Sequence, residues 1–282
     1  MKIDVLTLFP RMYDNFINES IIKRAIDKEL VEVNIHNIRD YTVYKNNQVD
    51  DYPFGGGGGM VLMCDPIFRA IDTLKKEDTL VIMMTPSGKV YKQSIAYDLS
   101  KHKHIIILCG HYEGFDERIK TIVDLELSIG DYILTGGELP SMVVMDSIIR
   151  LIDNVISTES LESESFNNNL LDYPNYTKPV EYRGMKVPDV LLSGHHENIK
   201  KYRYNEQLRL TKENRPDLAT YDEIKDNDYN ISVNSYLRAN TEDKKIDINE
   251  VIRKLAEIVP RQQQIREELE EIIKELEVDY HE

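Results

Sequence analysis

The chain has no tryptophan and only two cysteines, Cys64 and Cys109, in 282 residues. Two thiols cannot form a disulfide framework, so a reducing cytoplasm is the expected setting. The histidines, including His195-His196, share no ligand spacing with a cysteine or a further histidine, which argues against a zinc site. Long apolar runs are missing as well. Val5-Leu6-Thr7-Leu8-Phe9 is stopped by Pro10 and is too short for a signal sequence, and no stretch reaches the length of a membrane span. A soluble protein with no membrane partner is expected. Positive charge is scarce, 35 Lys and Arg against 50 Asp and Glu, and the net charge of -15 would on average disfavour nucleic acid.

That average conceals a local excess. From Thr241 to Glu282 thirteen acidic residues face seven basic ones, so this tail alone carries -6. Between Lys200 and Arg215, Lys200, Lys201, Arg203, Arg209, Lys212 and Arg215 outnumber Glu206 and Glu213, with Tyr202 and Tyr204 interleaved. Clustered cations and aromatics suit phosphate contact and base stacking, although a solvated helix face has the same composition.

The thirteen glycines are concentrated: five form the run Gly55 to Gly59, and most of the others follow apolar stretches. Leu80 to Met84 reads as a buried strand running into Thr85-Pro86-Ser87-Gly88. Ile105 to Leu108 runs into Cys109-Gly110-His111-Tyr112-Glu113-Gly114. Ser128 to Pro140, with Gly130, Gly136 and Gly137, joins an apolar strand to an apolar helix that Glu138 opens. Ligands of open α/β sheets bind beyond the carboxyl ends of the strands, so three such turns are expected to converge on one pocket. None is G-x-G-x-x-G, and no Gly-Lys-Ser/Thr follows the five-glycine run, so neither a dinucleotide fingerprint nor a P-loop is present. Backbone N–H groups of that run suit a phosphate or a flat base, while its ordering entropy also fits a plain linker.

Alternating short strands and helical patterns over 1–157 predict an α/β domain with a mostly parallel sheet. The expected elements are a strand from Lys2 to Phe9, a helix from Pro10 through Met12, Phe16, Ile21, Ile22 and Ile26, and a strand from Val31 to Ile35. A helix capped by Asp65 with Pro66 in its first turn, and an apolar helix from Glu138 to Val155, complete the pattern. Residues 158–172 read as an interdomain linker, 173–245 as a small helical domain and 246–282 as an acidic helical extension. That extension carries amphipathic stripes Ile248 to Val259 and Ile265 to Leu276, suited to packing or self-association.

Six motifs in one register resemble the bacterial tRNA (guanine-N1)-methyltransferases. They are Leu8-Phe9-Pro10, Val49 to Met60, Cys109 to Arg118, Ser128 to Pro140, Leu170 to Pro179 and Val190 to His196, and the resemblance runs from residue 1 to about 240. It implies a SPOUT-type domain tied in a trefoil knot that holds S-adenosylmethionine, followed by a small helical tRNA-binding domain. It further implies homodimers with composite active sites, methylating N1 of the guanosine immediately 3′ of the anticodon. Another SPOUT RNA methyltransferase, or a catalytically impaired RNA-binding homologue, is the alternative.

The resemblance assigns the cofactor to Thr85, Pro86, Ser87 and Gly88, to Leu108, Cys109 and Gly110, and to Ser128, Ile129, Gly130, Tyr132, Ile133, Leu134, Gly136, Gly137, Leu139 and Pro140. It assigns the guanine to Asp50, Gly59, His111 and Glu113. A base is required because guanine N1 carries a proton. The matching position is Glu164, where the family has Asp, with Glu162 and Asp172 as neighbouring substitutes. Arg150 matches an arginine that stabilises charge on the guanine O6, work that suits a planar, permanently protonated fork. Some members carry Arg where this chain has His111, which can donate one hydrogen bond there but cannot make a bidentate contact. Magnesium dependence is implied by the family alone; the sequence shows no dedicated cage for it.

Overall fold

The computed structural model of the chain describes residues 1–157, 161 and 164–218. Met1–Asp222 is one unit; the other, Glu223–Glu282, lies outside the described residues, as do the stripes expected there.

Five strands, β1 (Lys2–Thr7), β2 (Glu32–Asn37), β5 (Thr79–Val90), β6 (His104–Cys109) and β7 (Leu125–Ser128), form one sheet in the order β2-β1-β6-β5-β7. Every pairing in it is parallel. This is the α/β class with a parallel sheet that the alternation predicted. β6 lies at its centre and is buried along its whole length, which is why His104-Ile-Ile-Ile-Leu-Cys109 is an unbroken apolar run after its histidine.

Side chains alternate across the pleat. Ile105, Ile107 and Cys109 face one layer, with Ile3, Val5 and Ile82. That layer is covered by α2 (Ser20–Asp27), α4 (Gln93–Leu99) and α5 (Glu138–Ile149) through Ile22, Leu99, Val144 and Ile148. Ile106 and Leu108 face the other, where α3 (Cys64–Leu74) and the 3-10 turns Ile38–Tyr41 and Glu117–Ile122 supply Ile67, Ile71, Ile38 and Ile119. Each such side chain contributes about 1.5–3 kcal/mol by burial.

Several local expectations change. The helix expected from Pro10 is broken into a 3-10 turn Pro10–Tyr13, α1 (Asp14–Asn18) and α2, because Glu19 is extended and Ser20 takes φ 55°. Helix α3 starts one residue before Asp65, whose carboxylate binds Arg69 one turn on instead of capping the helix. Helix α5 ends at Ile149 with Arg150 as its C-cap, short of Val155. β5 continues to Val90: Met84 and Lys89 both pair with Leu127, so Thr85–Gly88 form a detour between two halves of one strand.

The glycine run lies between β3 (Asp50–Asp51) and β4 (Val61–Leu62), an antiparallel pair. After the linker positions, Glu181–Tyr182 pairs antiparallel with Met185–Lys186, and a helix spans His196–Asn214. Leu171 N–H donates to Thr211 Oγ1 at 2.9 Å, tying the segment before the hairpin to that helix.

Candidate functional site

The detour in β5 and the carboxyl ends of β6 and β7 open on one cavity of about 450 Å³. Thr85, Pro86 and Ser87 line it from the β5 detour, Gly110, His111 and Glu113 from the turn after β6, and Ser128, Ile129 and Gly130 from the turn after β7. Tyr132, Ile133, Leu134, Gly136, Gly137 and Pro140 complete the wall up to the start of α5. The three glycine turns therefore converge as the sequence suggested.

Glycine is required where chain meets chain. A Cβ on Gly88 would sit 2.5 Å from the Leu127 backbone nitrogen, and one on Gly137 would sit 2.7 Å from Cys109 Cα. Gly137 N–H donates to Gly110 O at 2.9 Å, which draws the start of α5 onto the end of β6. Gly130 takes φ 150°, and its N–H donates to the Ser128 hydroxyl at 3.2 Å.

Other expected residues lie around this cavity without lining it. Leu108 and Cys109 are buried in the sheet behind it; the Cys109 thiol meets the Tyr13 hydroxyl at 3.3 Å, and burial pushes its pKa up to about 12, so it is inert. Gly88 supports the detour and Leu139 is exposed. Gly59 stands at the rim against the Glu113 side chain, and Glu113 N–H donates to Met60 O at 2.9 Å, stitching the end of the glycine run to the turn after β6. Asp50 sits in β3, away from the lining.

Arg150 and Glu164 form a bidentate ion pair, Nη1 to Oε2 at 2.6 Å with Nη2 on Oε1. The glutamate beside it, then desolvation in the opposite sense, leaves the guanidinium pKa above its ordinary value. The structure brings these two together, but neither lines the cavity of its own chain. Glu162 lies outside the described residues; Asp172 accepts from Tyr173 N–H at 2.7 Å.

The basic stretch is less basic than its composition. Arg209 is bonded to Glu206 and Glu213, and Arg215 to Asp217, while the Arg203 guanidinium lies 4.6 Å over the Tyr173 ring. Those acids fall three or four residues from Arg209 on the helix and neutralise it.

Sequence reasoning missed Thr7 and treated Glu138 only as the opening of a helix. Glu138 is buried; its Oε1 accepts from the Thr7 hydroxyl at 2.6 Å and its Oε2 lies 2.7 Å from His111 Nε2. The signal that was available is the carboxylate placed between Gly-Gly and an apolar helix, where solvent is excluded. Among the described residues, no group of three or more His, Cys, Asp or Glu is placed to hold a metal ion, and no helix is long and apolar enough to cross a membrane.

Comparison with known proteins places this geometry in context. The family profile described as tRNA (Guanine-1)-methyltransferase TrmD matches residues 1–221. The chain is 58% identical over 219 residues to the tRNA (guanine-N(1)-)-methyltransferase of Ureaplasma urealyticum, covering 77% of this chain and 96% of the relative. It is 54% identical over 219 residues to the protein of the same name from Mycoplasma capricolum, covering 77% and 91%. It is 52% identical to that from Dictyoglomus turgidum, covering 77% and 89%.

Proposed function

The chain belongs to the tRNA (guanine-1)-methyltransferase family, and from that premise we propose a role for each part of its site. The enzyme transfers a methyl group from S-adenosylmethionine to N1 of the guanosine immediately 3′ of the anticodon in tRNA. The observation that carries the site reading is the convergence of three glycine turns on a single cavity at the carboxyl edge of a parallel sheet.

The adenosyl group fits that cavity. Backbone groups of Thr85–Gly88, Leu108–Gly110 and Ser128–Leu139 are its expected partners, and Gly88 and Gly137 allow the chain to fold closely where a Cβ would not fit. When bound, the donor supplies an electrophilic methyl group. Glu164 takes the N1 proton as the new bond forms, and Arg150 donates to O6, where charge gathers. Asp50, Gly59, His111 and Glu113 meet the guanine edge. The magnesium dependence implied by the family has no cage of protein ligands among the described residues, and no step here runs through the ion.

Residues 1–157 are read as a SPOUT-type knotted domain, 158–172 as the linker, 173–245 as the tRNA-binding domain and 246–282 as an acidic extension. The bond between Gly137 and Gly110, at the start of α5 and the end of β6, supports the close chain crossing that a knot needs. A homodimer accounts for the Arg150–Glu164 pair lying outside its own chain's cavity: each cavity is completed by the pair from a second copy. Leu139 and Val143, about half exposed on α5, supply apolar surface for such a contact. A cytoplasmic location fits the two free thiols.

The test is methyl transfer from labelled S-adenosylmethionine to two tRNA transcripts, with guanosine or adenosine immediately 3′ of the anticodon. Label only on the guanosine transcript, at base N1, is expected. Glu164→Ala should lower turnover about 100-fold or more if it is the base. Full turnover by that variant sinks the assignment, and absence of label with folded, cofactor-binding protein points to an impaired RNA-binding homologue.

A further inference from the structure

Apart from His111, the members of a polar assembly at the cavity wall have no part in the roles given above. Thr7 closes β1, and its hydroxyl oxygen accepts from Phe9 N–H at 2.9 Å while its proton goes to Glu138 Oε1 at 2.6 Å. The other carboxylate oxygen, Oε2, lies 2.7 Å from His111 Nε2, and the His111 ring packs on the Phe9 ring with centroids 4.6 Å apart. Thr7, Glu138, His111 and Phe9 thus close a ring of contacts on one side chain of the cavity wall. Glu138 is held from below as well: Ser141 Oγ donates to its carbonyl at 2.7 Å, and the Tyr13 hydroxyl joins Ser141 Oγ at 2.6 Å. Gly136 lies across the junction, where a Cβ would come 2.3 Å from His111 Nε2 and 2.5 Å from Glu138 Oε2.

With Glu138 taken as ionised and His111 as neutral, the donor inventory of this ring leaves one arrangement. An ionised carboxylate only accepts, and a carboxylate 1% exposed is tolerated when its oxygens are hydrogen-bonded. Thr7 gives its single proton to one oxygen, so the proton facing the other is carried by His111 Nε2. Among the described residues, His111 is the only basic side chain in an ion pair with Glu138. Nδ1 is then the ring nitrogen left for the cavity. In the neutral ring it carries a lone pair, the partner that an N–H of guanine requires.

We propose that Glu138 and Thr7 are positioning residues that lock the ring plane and the Nε2–H form of His111, so that Nδ1 meets the target base as an acceptor. This rests on the reading of His111 as a guanine contact. It gives Leu8-Phe9-Pro10 a task, since Phe9 closes the ring that Thr7 begins, and it explains Gly136 as the residue that leaves room for the Glu138–His111 bond.

Glu138→Gln keeps the shape but places an amide NH₂ opposite His111 Nε2, driving the proton to Nδ1 and turning the acceptor into a donor. The expected result is a switch of the His111 tautomer in ¹⁵N NMR of the full chain. Single-turnover methyl transfer should fall about tenfold or more, with S-adenosylmethionine affinity and Tm close to those of the parent. His111→Ala should lose a similar factor, and the double variant no more than His111→Ala alone. Thr7→Val should also slow transfer, and Thr7→Ser should restore it. This pair decides the matter should Glu138→Gln fail to fold. An unchanged tautomer, a multiplicative loss in the double variant, or full turnover by Thr7→Val overturns the proposal. Failure of the parent to methylate any tRNA would instead overturn the functional reading, and the tautomer switch would still test the clamp.

Discussion

Glycines of this chain differ in what a methyl group would strike, and that sorts them by consequence. At Gly88 the obstacle is the Leu127 backbone, which cannot swing aside, whereas at Gly58 nothing lies within 4 Å and φ is not left-handed. Gly88→Ala is therefore expected to weaken S-adenosylmethionine binding about tenfold or more and to destabilise the fold by about 1–3 kcal/mol, as overpacking does. Gly58→Ala should leave both near the parent values; calorimetric titration of the cofactor alongside thermal melts separates the two outcomes. At this scale the sequence was legible where chemistry forces a residue type, as at the glycine turns. It was less legible where a common residue acquires its role from burial: the Gly-Gly before Glu138 hinted at a buried carboxylate, but nothing marked its 2.6 Å bond to a Thr 131 positions away.

Strands of the central sheet carry charge as well as apolar side chains. Asp4, fully buried in β1, accepts from His104 Nε2 at 2.7 Å, His36 Nε2 at 3.0 Å, Lys2 Nζ at 2.9 Å and Asn34 Nδ2 at 3.0 Å. Burial alone would raise its pKa, but the bonds from His36, Lys2, Asn34 and His104 outweigh it and hold the carboxyl well below the usual carboxylate range. A group whose pKa is depressed on folding stabilises above its unfolded pKa, here 3.8, and loses that contribution as pH falls below it. Asp4→Asn should thus lower stability by about 3 kcal/mol at pH 7 and flatten the acid limb of the Tm against pH curve. An unaltered acid limb would show that the cluster is not what couples β1 to β2 and β6. Element type was readable from the spacing of Ile, Leu and Val, but the break between α1 and α2 was not, since neither glycine nor proline marks Glu19-Ser20. The basic helix misled for a related reason: a count of charges does not show that Arg209 is already paired within one turn.

The molecule as a whole is expected to work in pairs. The Arg150–Glu164 pair and the cavity are separate in one chain, so mixing Glu164→Ala with His111→Ala subunits by co-expression should give turnover above that of either variant alone; sedimentation would check the dimer. Truncation after about Lys245 should lower stability and leave methylation intact if the acidic extension only packs. The family motifs of the sequence fall within the residues that the family profile matches, 1–221, while the extension has no counterpart among them. Thr85–Gly88 leave β5 and rejoin it opposite the same residue, Leu127, so this wall is moored at both ends and cannot act as a door. Tyr132 to Thr135 form the wall without such moorings, with Ile133 79% exposed. If S-adenosylmethionine occupies this cavity, Tyr132 to Thr135 rather than the moored wall are expected to set its residence time, and a changed cofactor off-rate in Ile133→Ala would show it.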